Sequence, residues 1–295
     1  MLAKSLAAVV NGYEIATEIT SEYAYQLRYA VGRFKRFLKR EPTTDDLTAD
    51  TVNRWLKHER DAAEIGDRSR ANVRRSMLTL WKRYGEGMNR DAIRSVVVTP
   101  RNPEAWGYDE LEMVAKAAAK LPGRLTNNVP RSLYMSTLLW FAYETGLRRR
   151  DLWRFDLNQF DANRRAALTQ HKTRRVHVIE ITPETEADVR KISQQLRTNG
   201  DPHWQTPLRW PQSVTMFYYW MRQVRILAGV DPEVRNRSLQ HIRRTGATEV
   251  AAEGMHAWRF LGHSREGLDR KSYVDARRTV TPTTPSRNRH GRDIA

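Results

Sequence analysis

Two prolines in a short polar segment, residues 98–103, separate two stretches of different periodicity. Before this segment, apolar residues recur at the three- and four-residue steps of an α-helix. After it, helical patterns alternate with short runs typical of strands. Such a segment is typical of a linker, and 295 residues suffice for two domains. We expect a helical domain over residues 1–99, a second domain over 104–278 and a mobile tail over 279–295.

The first domain is predicted to consist of helices. One helix begins at Ser21 and ends before Pro42, since proline cannot continue it. The second opens near residue 48, with Thr48 or Asp50 as its N-cap, and the third spans residues 68–84. About twenty residues precede the first of these helices, with no pattern for a further N-terminal domain. The predicted apolar face of the first helix comprises Tyr25, Leu27, Val31, Phe34 and Leu38.

The second domain is predicted to be mainly α with a small antiparallel β-sheet. Residues 132–144 are apolar on most sides and are expected to form a buried helix. Val176 and Val178 alternate with polar residues, as in a half-buried strand. The predicted strands are residues 156–160, 166–170 and 175–181, with a turn over 171–174. The other predicted helices are residues 108–121, 184–196, 214–227 and 239–253.

The charge of the chain points to a partner class. There are 51 Lys and Arg against 34 Asp and Glu, a formal charge of +17, which favours phosphate polymers. Nine Trp and 40% hydrophobic residues provide material for a core. The most apolar run, near residues 138–143, is too short to cross a membrane, and the N-terminal stretch matches a signal peptide only weakly. We expect an intracellular protein without a membrane partner.

Signatures of metal and nucleotide chemistry are missing from the sequence. The chain has no cysteine, which excludes a disulfide framework, a thiolate nucleophile and a cysteine zinc site. Its eight histidines include no His-Glu-x-x-His pair, and there is no Walker phosphate-binding loop. No cofactor and no metal are predicted.

Four local patterns carry residues suited to phosphate chemistry. They are, in chain order, Thr145-Gly146-Leu147-Arg148, Lys172 in the predicted hairpin turn, residues 239–248 with the sequence LQHIRRTGAT, and Leu261-Gly262-His263 followed ten residues later by Tyr273. Together they resemble the catalytic domain of the tyrosine recombinases, or phage integrase family, over residues 108–274. The helical module before the linker resembles the family's core-binding (SAM-like) domain.

The resemblance implies a role for each matching residue. Arg148 corresponds to the first catalytic arginine, and Lys172 to the hairpin lysine that protonates the leaving oxygen. His263 corresponds to the histidine that donates to the phosphate, and Tyr273 to the nucleophile. Asp151 stands where the family commonly has Glu, and is expected to be a buried structural carboxylate. The interval from His263 to Tyr273 is one residue longer than usual.

The third pattern fits the family's His-x-x-Arg helix in two registers. Pairing His241 with Arg244 preserves the letters of the motif. Pairing Gln240 with Arg243 aligns the residues that follow with the family's Thr-x-Ala-Thr run and places Ile242 in its buried position. We favour Arg243, because the other register buries a charge at that position. Gln240 then replaces a histidine, and glutamine cannot exchange a proton near neutral pH.

The resemblance implies a site-specific recombinase or integrase that cleaves and rejoins double-stranded DNA through a 3′-phosphotyrosine, without metal or ATP. It further implies a homo-tetramer on paired DNA sites, a C-terminal tail docked on a neighbouring subunit, and a place with the nucleoid in the cytoplasm. The alternatives are a topoisomerase-like relative and a non-cleaving DNA-binding protein with this fold. The residues predicted to contact DNA outside the catalytic set are Arg70, Arg74, Arg75, Lys82, Arg174 and Arg244.

Overall fold

The computed structural model describes residues 3–17, 19–85, 87–99, 103–230, 239–263 and 274. The predicted tail, Tyr273 and part of the predicted linker lie outside the described residues. The chain divides into two compact units, Met1–Arg101 and Asn102–Ala295. Among the described residues, no helix combines the length and the apolar character that a membrane crossing requires.

The described residues of the first unit form four α-helices, with α2 at their centre. The helices are α1 (Leu6–Thr17), α2 (Ser21–Leu38), α3 (Ala49–Asp61) and α4 (Asp67–Tyr84). Helix α2 packs against the other three. The hydroxyl of Thr48 accepts a hydrogen bond from Thr51 N at 3.2 Å, so that Thr48 rather than Asp50 is the N-cap of α3.

Two features of this unit differ from the prediction. Residues 6–17, read from the sequence as lying before the first helix, form α1, and they bury Leu6 and Val10 completely. Tyr25, assigned to the apolar face of α2, is 68% exposed. The apolar pattern at residues 6–13 is short, and a helix this short owes its stability to packing rather than to its own propensity.

An ion pair is buried between α2 and α3. Arg33 Nε donates to Glu59 Oε2 at 2.7 Å, and both side chains are less than a tenth exposed. Trp55 Nε1 donates to the other carboxylate oxygen at 3.0 Å. The hydrogen bond to Glu59 raises the pKa of Arg33. Each polar group of the pair is therefore matched within the core, where an unmatched charge would be costly.

The second unit is organised around one buried helix. Its helices are α5 (Tyr108–Ala118), α6 (Arg131–Thr145), α7 (Arg149–Leu152), α8 (Pro183–Thr198), α9 (Val214–Leu227), α10 (Leu239–Ala252) and α11 (Ala257–Phe260). Helix α6 contacts α5, α8 and α10, which confirms the predicted burial of residues 132–144. Such a helix is apolar all round because it meets neighbours on every side.

A two-stranded antiparallel sheet completes this unit, and confirms the predicted fold class. Strand β1 (Arg165–Thr169) pairs with β2 (Val176–Glu180), with Ala167 opposite Val178. The predicted strand at 156–160 is wrong: the side chain of Asp156 caps a single 3-10 turn, and Phe160 makes one bridge to β1. A short side chain that accepts a local backbone N–H favours a turn over a strand.

Strand β2 is half-buried as predicted, but its buried face is the one opposite to Val176 and Val178. Val176 and Val178 are 68% and 63% exposed, whereas His177 and Ile179 are buried. Alternation alone shows that two faces differ but not which one meets the core. His177 lies on the inward face, where it is within hydrogen-bond distance of Gln170, another buried polar residue.

Candidate active site

The first motif turns the chain sharply at the end of α6. Gly146 caps the helix in the left-handed conformation, with φ of +57°. A Cβ at Gly146 would lie 2.6 Å from Cε1 of Phe260, so this position also needs the absence of a side chain. Arg148 follows as the N-cap of α7. Its Nη1 donates to Gln170 Oε1 at 2.6 Å.

Helix α10 places Arg243 against the segment that follows α11. The Arg243 side chain is only 2% exposed. Its Nη2 donates to the carbonyl of Leu261 at 2.9 Å and lies 3.4 Å from Nε2 of His263. The residues of the third and fourth motifs are thus in direct contact, although 20 positions separate Arg243 from His263.

The two registers of the third motif occupy different surroundings. Arg244 Nη1 lies 3.5 Å from Nε2 of His241, and the His241 ring lies 6.4 Å from that of Trp106. Gln240 is exposed in the first turn of α10. Ile242 and Arg243 are both buried, so the cost of burying a charge does not decide between the two registers. The contact of Arg243 with His263 is what favours Arg243 as the motif arginine.

The hairpin turn that carries Lys172 is tied down on both sides of it. Asp151 is buried, and its Oδ1 accepts from His171 N at 2.8 Å. Thr173 Oγ1 donates to Gln170 Oε1 at 2.8 Å. Lys172 itself is exposed. The backbone of the turn is therefore fixed while the lysine side chain projects from it.

Gln170 and His177 are polar residues of this cluster that the sequence reasoning did not single out. Both are buried, and Gln170 Nε2 lies 3.0 Å from His177 Nδ1. A signal was available, because both residues fall on the inward face of a strand or its direct continuation. Polar side chains are rare at such positions unless they are hydrogen-bonded.

Gly262 allows the fourth motif to approach this pair. Its φ is +61°, in the region that favours glycine. A Cβ at this position would lie 2.5 Å from Gln170 Nε2 and 2.8 Å from His177 Cγ. The glycine of Leu-Gly-His thus leaves room for the two buried side chains beneath it.

The environment of His177 keeps its ring uncharged. Burial lowers its pKa to about 4, and the positive charges of Arg243 and Arg148 act in the same direction. The carbonyl of Phe260 and the carboxylate of Asp151 oppose the shift. A neutral ring adds no further positive charge to a site that already holds two arginines.

This shift predicts a pH dependence of stability. An unfolded chain binds a proton at His177 below about pH 6.5, whereas the folded chain resists protonation down to about pH 4. The contribution of the neutral His177 ring to the free energy of unfolding is therefore complete above about pH 6.5. About 2 kcal/mol of this stability is lost by about pH 5. Denaturant unfolding at several pH values should show a shallower pH dependence for His177→Gln. The exposed His203→Gln should keep the wild-type slope; equal slopes for all three proteins would contradict the prediction.

The residues predicted to contact DNA fall into two groups. Arg70 pairs with Asp67 within α4, whereas Arg74 Nε donates to the carbonyl of Arg94 at 2.8 Å and so joins α4 to the segment that follows it. The others are exposed or half-buried: Arg75, Lys82, Arg174 and Arg244. All six remain predictions as DNA contacts.

An open groove lies against the cluster. It has a volume of about 540 Å³ and is lined by β2, by Trp258 and Arg259 of α11, and by Gly262 and His263. Within the described residues, no group of three or more His, Asp or Glu side chains is arranged to hold a metal ion. The groove presents cationic and imidazole groups, which suit an anionic ligand.

Solved structures of DNA recombinases are similar to this chain. A lambda integrase dimer bound to a COC′ core site has a TM-score of 0.71 and 15% identity, over 96% of this chain and 100% of that one. The XerH site-specific recombinase, bound to a palindromic difH substrate in a post-cleavage complex, has a TM-score of 0.70 and 12% identity, over 90% and 79%. A lambda integrase tetramer bound to a Holliday junction has a TM-score of 0.67 and 16% identity, over 90% and 79%. No protein-family model and no curated protein sequence matches.

The chain therefore has the fold of the tyrosine recombinases. The likeness extends across both units, since more than nine-tenths of the chain is covered by the lambda integrase dimer structure. At 15% identity it is a likeness of fold, and fold alone does not establish activity.

Proposed function

We propose that the chain is a site-specific DNA recombinase that cleaves and rejoins DNA through a phosphotyrosine at Tyr273. The observation that carries the proposal is one connected set of contacts among Arg148, Gln170, Leu261, Arg243 and His263. Motifs far apart in the sequence meet there, and two guanidinium groups belong to the same cluster. Phosphoryl transfer depends mainly on such positioned positive charge.

Each residue has a defined part in the proposed reaction. The Tyr273 phenol releases its proton to solvent as its oxygen attacks the scissile phosphorus, the bond to the 5′-oxygen breaks, and a 3′-phosphotyrosine forms. Arg148 and Arg243 bind the non-bridging oxygens, for which bidentate guanidinium groups are suited. Lys172 gives its proton to the departing 5′-oxygen, and His263 donates to the phosphate. A second 5′-hydroxyl reverses the steps and joins a new strand, so no metal or ATP is needed.

The proposed enzyme acts as a homo-tetramer on two paired sites of double-stranded DNA, as part of the nucleoid in the cytoplasm. A lambda integrase of the same fold forms a tetramer on a Holliday junction, which supports this arrangement. Exchange between two duplexes requires four cleaved strands, and one tyrosine per subunit then accounts for all four. The tail after residue 279 is proposed to dock on a neighbouring subunit.

The test is to trap the covalent intermediate. The protein is incubated with nicked fragments of a DNA pool and denatured, and the DNA that remains attached is recovered and sequenced. We expect an adduct with the wild type and with Tyr219→Phe, an exposed tyrosine of α9, and none with Tyr273→Phe. An adduct with Tyr273→Phe would show that the nucleophile is assigned wrongly.

A second candidate is a non-cleaving DNA-binding protein. It is favoured by Gln240, which stands at the histidine position of the preferred register and cannot exchange a proton near neutral pH. DNA binding by the wild type without any covalent adduct would support this candidate. If the adduct forms, an assay with two DNA sites separates the remaining two classes of enzyme. A recombinase exchanges strands between the sites, whereas a topoisomerase-like enzyme only relaxes supercoils.

A further inference from the structure

Gln170 uses the whole hydrogen-bonding capacity of its amide. It is completely buried at the end of β1. Its Oε1 accepts from Arg148 Nη1 at 2.6 Å and from Thr173 Oγ1 at 2.8 Å. Its Nε2 donates to the carbonyl of Leu261 at 3.2 Å and lies 3.0 Å from Nδ1 of His177. An amide oxygen has two lone pairs and an amide nitrogen two N–H groups, so all four are engaged.

These partners fix the orientation of the amide. A guanidinium can only donate and a carbonyl can only accept, so Arg148 faces the amide oxygen and Leu261 faces the nitrogen. His177 Nδ1 must then accept from Gln170, and the neutral ring carries its proton on Nε2. The low pKa of His177 is consistent with this arrangement, because a second proton would oppose the Gln170 N–H.

The carbonyl of Leu261 extends the contacts to the second arginine. It accepts from Gln170 Nε2 and also from Arg243 Nη2, at 3.2 Å and 2.9 Å. One amide and one carbonyl therefore connect Arg148 to Arg243. Through Thr173 the same amide also holds the turn that carries Lys172.

We propose that Gln170 is a positioning residue for strand cleavage, which sets Arg148 relative to Arg243 and to the Lys172 turn. The inference rests on the proposed function, in which these three cations act on one phosphate. A neutral amide suits the task better than a carboxylate. It orients the Arg148 guanidinium without cancelling its charge, so that the charge remains for the phosphate.

The test compares DNA binding with the rate of single-turnover cleavage. Gln170→Met keeps the length of the side chain and removes all four hydrogen bonds. We expect it to cleave nicked DNA about 100-fold more slowly, with an affinity for DNA within about threefold of wild type, because small misplacements of reacting groups cost this much. Gln170→Glu keeps the acceptor for Arg148 but adds a charge and removes the donors, and it should also be slow. Gln195→Met, at a half-buried glutamine of α8, should cleave at the wild-type rate.

A mutant cycle separates positioning from a general structural role. If Gln170 acts through the Arg148 guanidinium, Gln170→Met should slow Arg148→Lys far less than it slows the wild type. The inference would be overturned if the rate losses of Gln170→Met and Arg148→Lys multiply in the double variant. A wild-type rate for Gln170→Met, or loss of folding by both Gln170 variants, would also overturn it. Absence of covalent DNA with the wild type would overturn the proposed function and this inference together, whereas a normal rate for Gln170→Met overturns this inference alone.

Discussion

An Arg243→Ala variant should lose DNA cleavage by about 100- to 1,000-fold, the usual effect of removing one charge-stabilising donor from a site of this kind. Arg243 is buried, contacts His263 at 3.4 Å, and shares the Leu261 carbonyl with Gln170. Arg243→Lys should recover little of the rate, because an ammonium cannot make two parallel bonds to a phosphate.

The neighbouring Arg244→Ala is the matched control. It removes the same charge from the same helix, but from a side chain that lies beside His241. We expect it to keep the single-turnover cleavage rate and to weaken DNA binding modestly, with a smaller dependence on salt. Cleavage by Arg243→Ala together with inactivity of Arg244→Ala would reverse the choice of register. Circular dichroism and DNA affinity show whether each variant is folded.

A Glu59→Ala variant should destabilise the first unit by about 3 kcal/mol, because it leaves the Arg33 guanidinium buried without its main partner. Glu64, which lies 3.0 Å from Arg33 Nη2 but is 58% exposed, offsets only part of the loss. Glu64→Ala should cost less than about 1 kcal/mol, as exposed ion pairs do.

Hydrogen exchange followed by mass spectrometry measures this effect in the full chain. Peptides from α2 and α3 report the opening free energy of the first unit, separately from the second. The double variant Arg33→Met, Glu59→Leu should recover most of the stability, since apolar residues of similar size often replace a buried ion pair without loss. Equal protection in wild type and Glu59→Ala would contradict the prediction.

The fold was predictable from the sequence where periodicity is sustained. Helices α2, α4, α6, α8, α9 and α10 follow long apolar repeats, and their predicted ends are within a few residues of the observed ones. The predictions failed at short segments. Helix α1 depends on its neighbours, the segment 156–160 is set by a side-chain cap, and the direction of β2's faces depends on what lies beneath them. None of these three is encoded in a local repeat.

The candidate site was predictable only in part. Residues with a motif, such as Arg148 and Arg243, were singled out by their type and order, and they lie in the same cluster. Gln170 has no motif, because its partners Arg148 and Leu261 lie 22 and 91 positions away and only the folded chain brings them to it. The role of Tyr273 remains a proposal, since it lies outside the described residues.

The acceptor that joins the two halves of the cluster belongs to the main chain. The Leu261 carbonyl is present whichever amino acid occupies that position, so mutation of the side chain cannot delete it. Descendants of such a protein can exchange most of their residues and still inherit the acceptor, provided that the turn is kept. A comparison of letters, which matches only 15% of residues with the lambda integrase structure, does not register a main-chain acceptor of this kind.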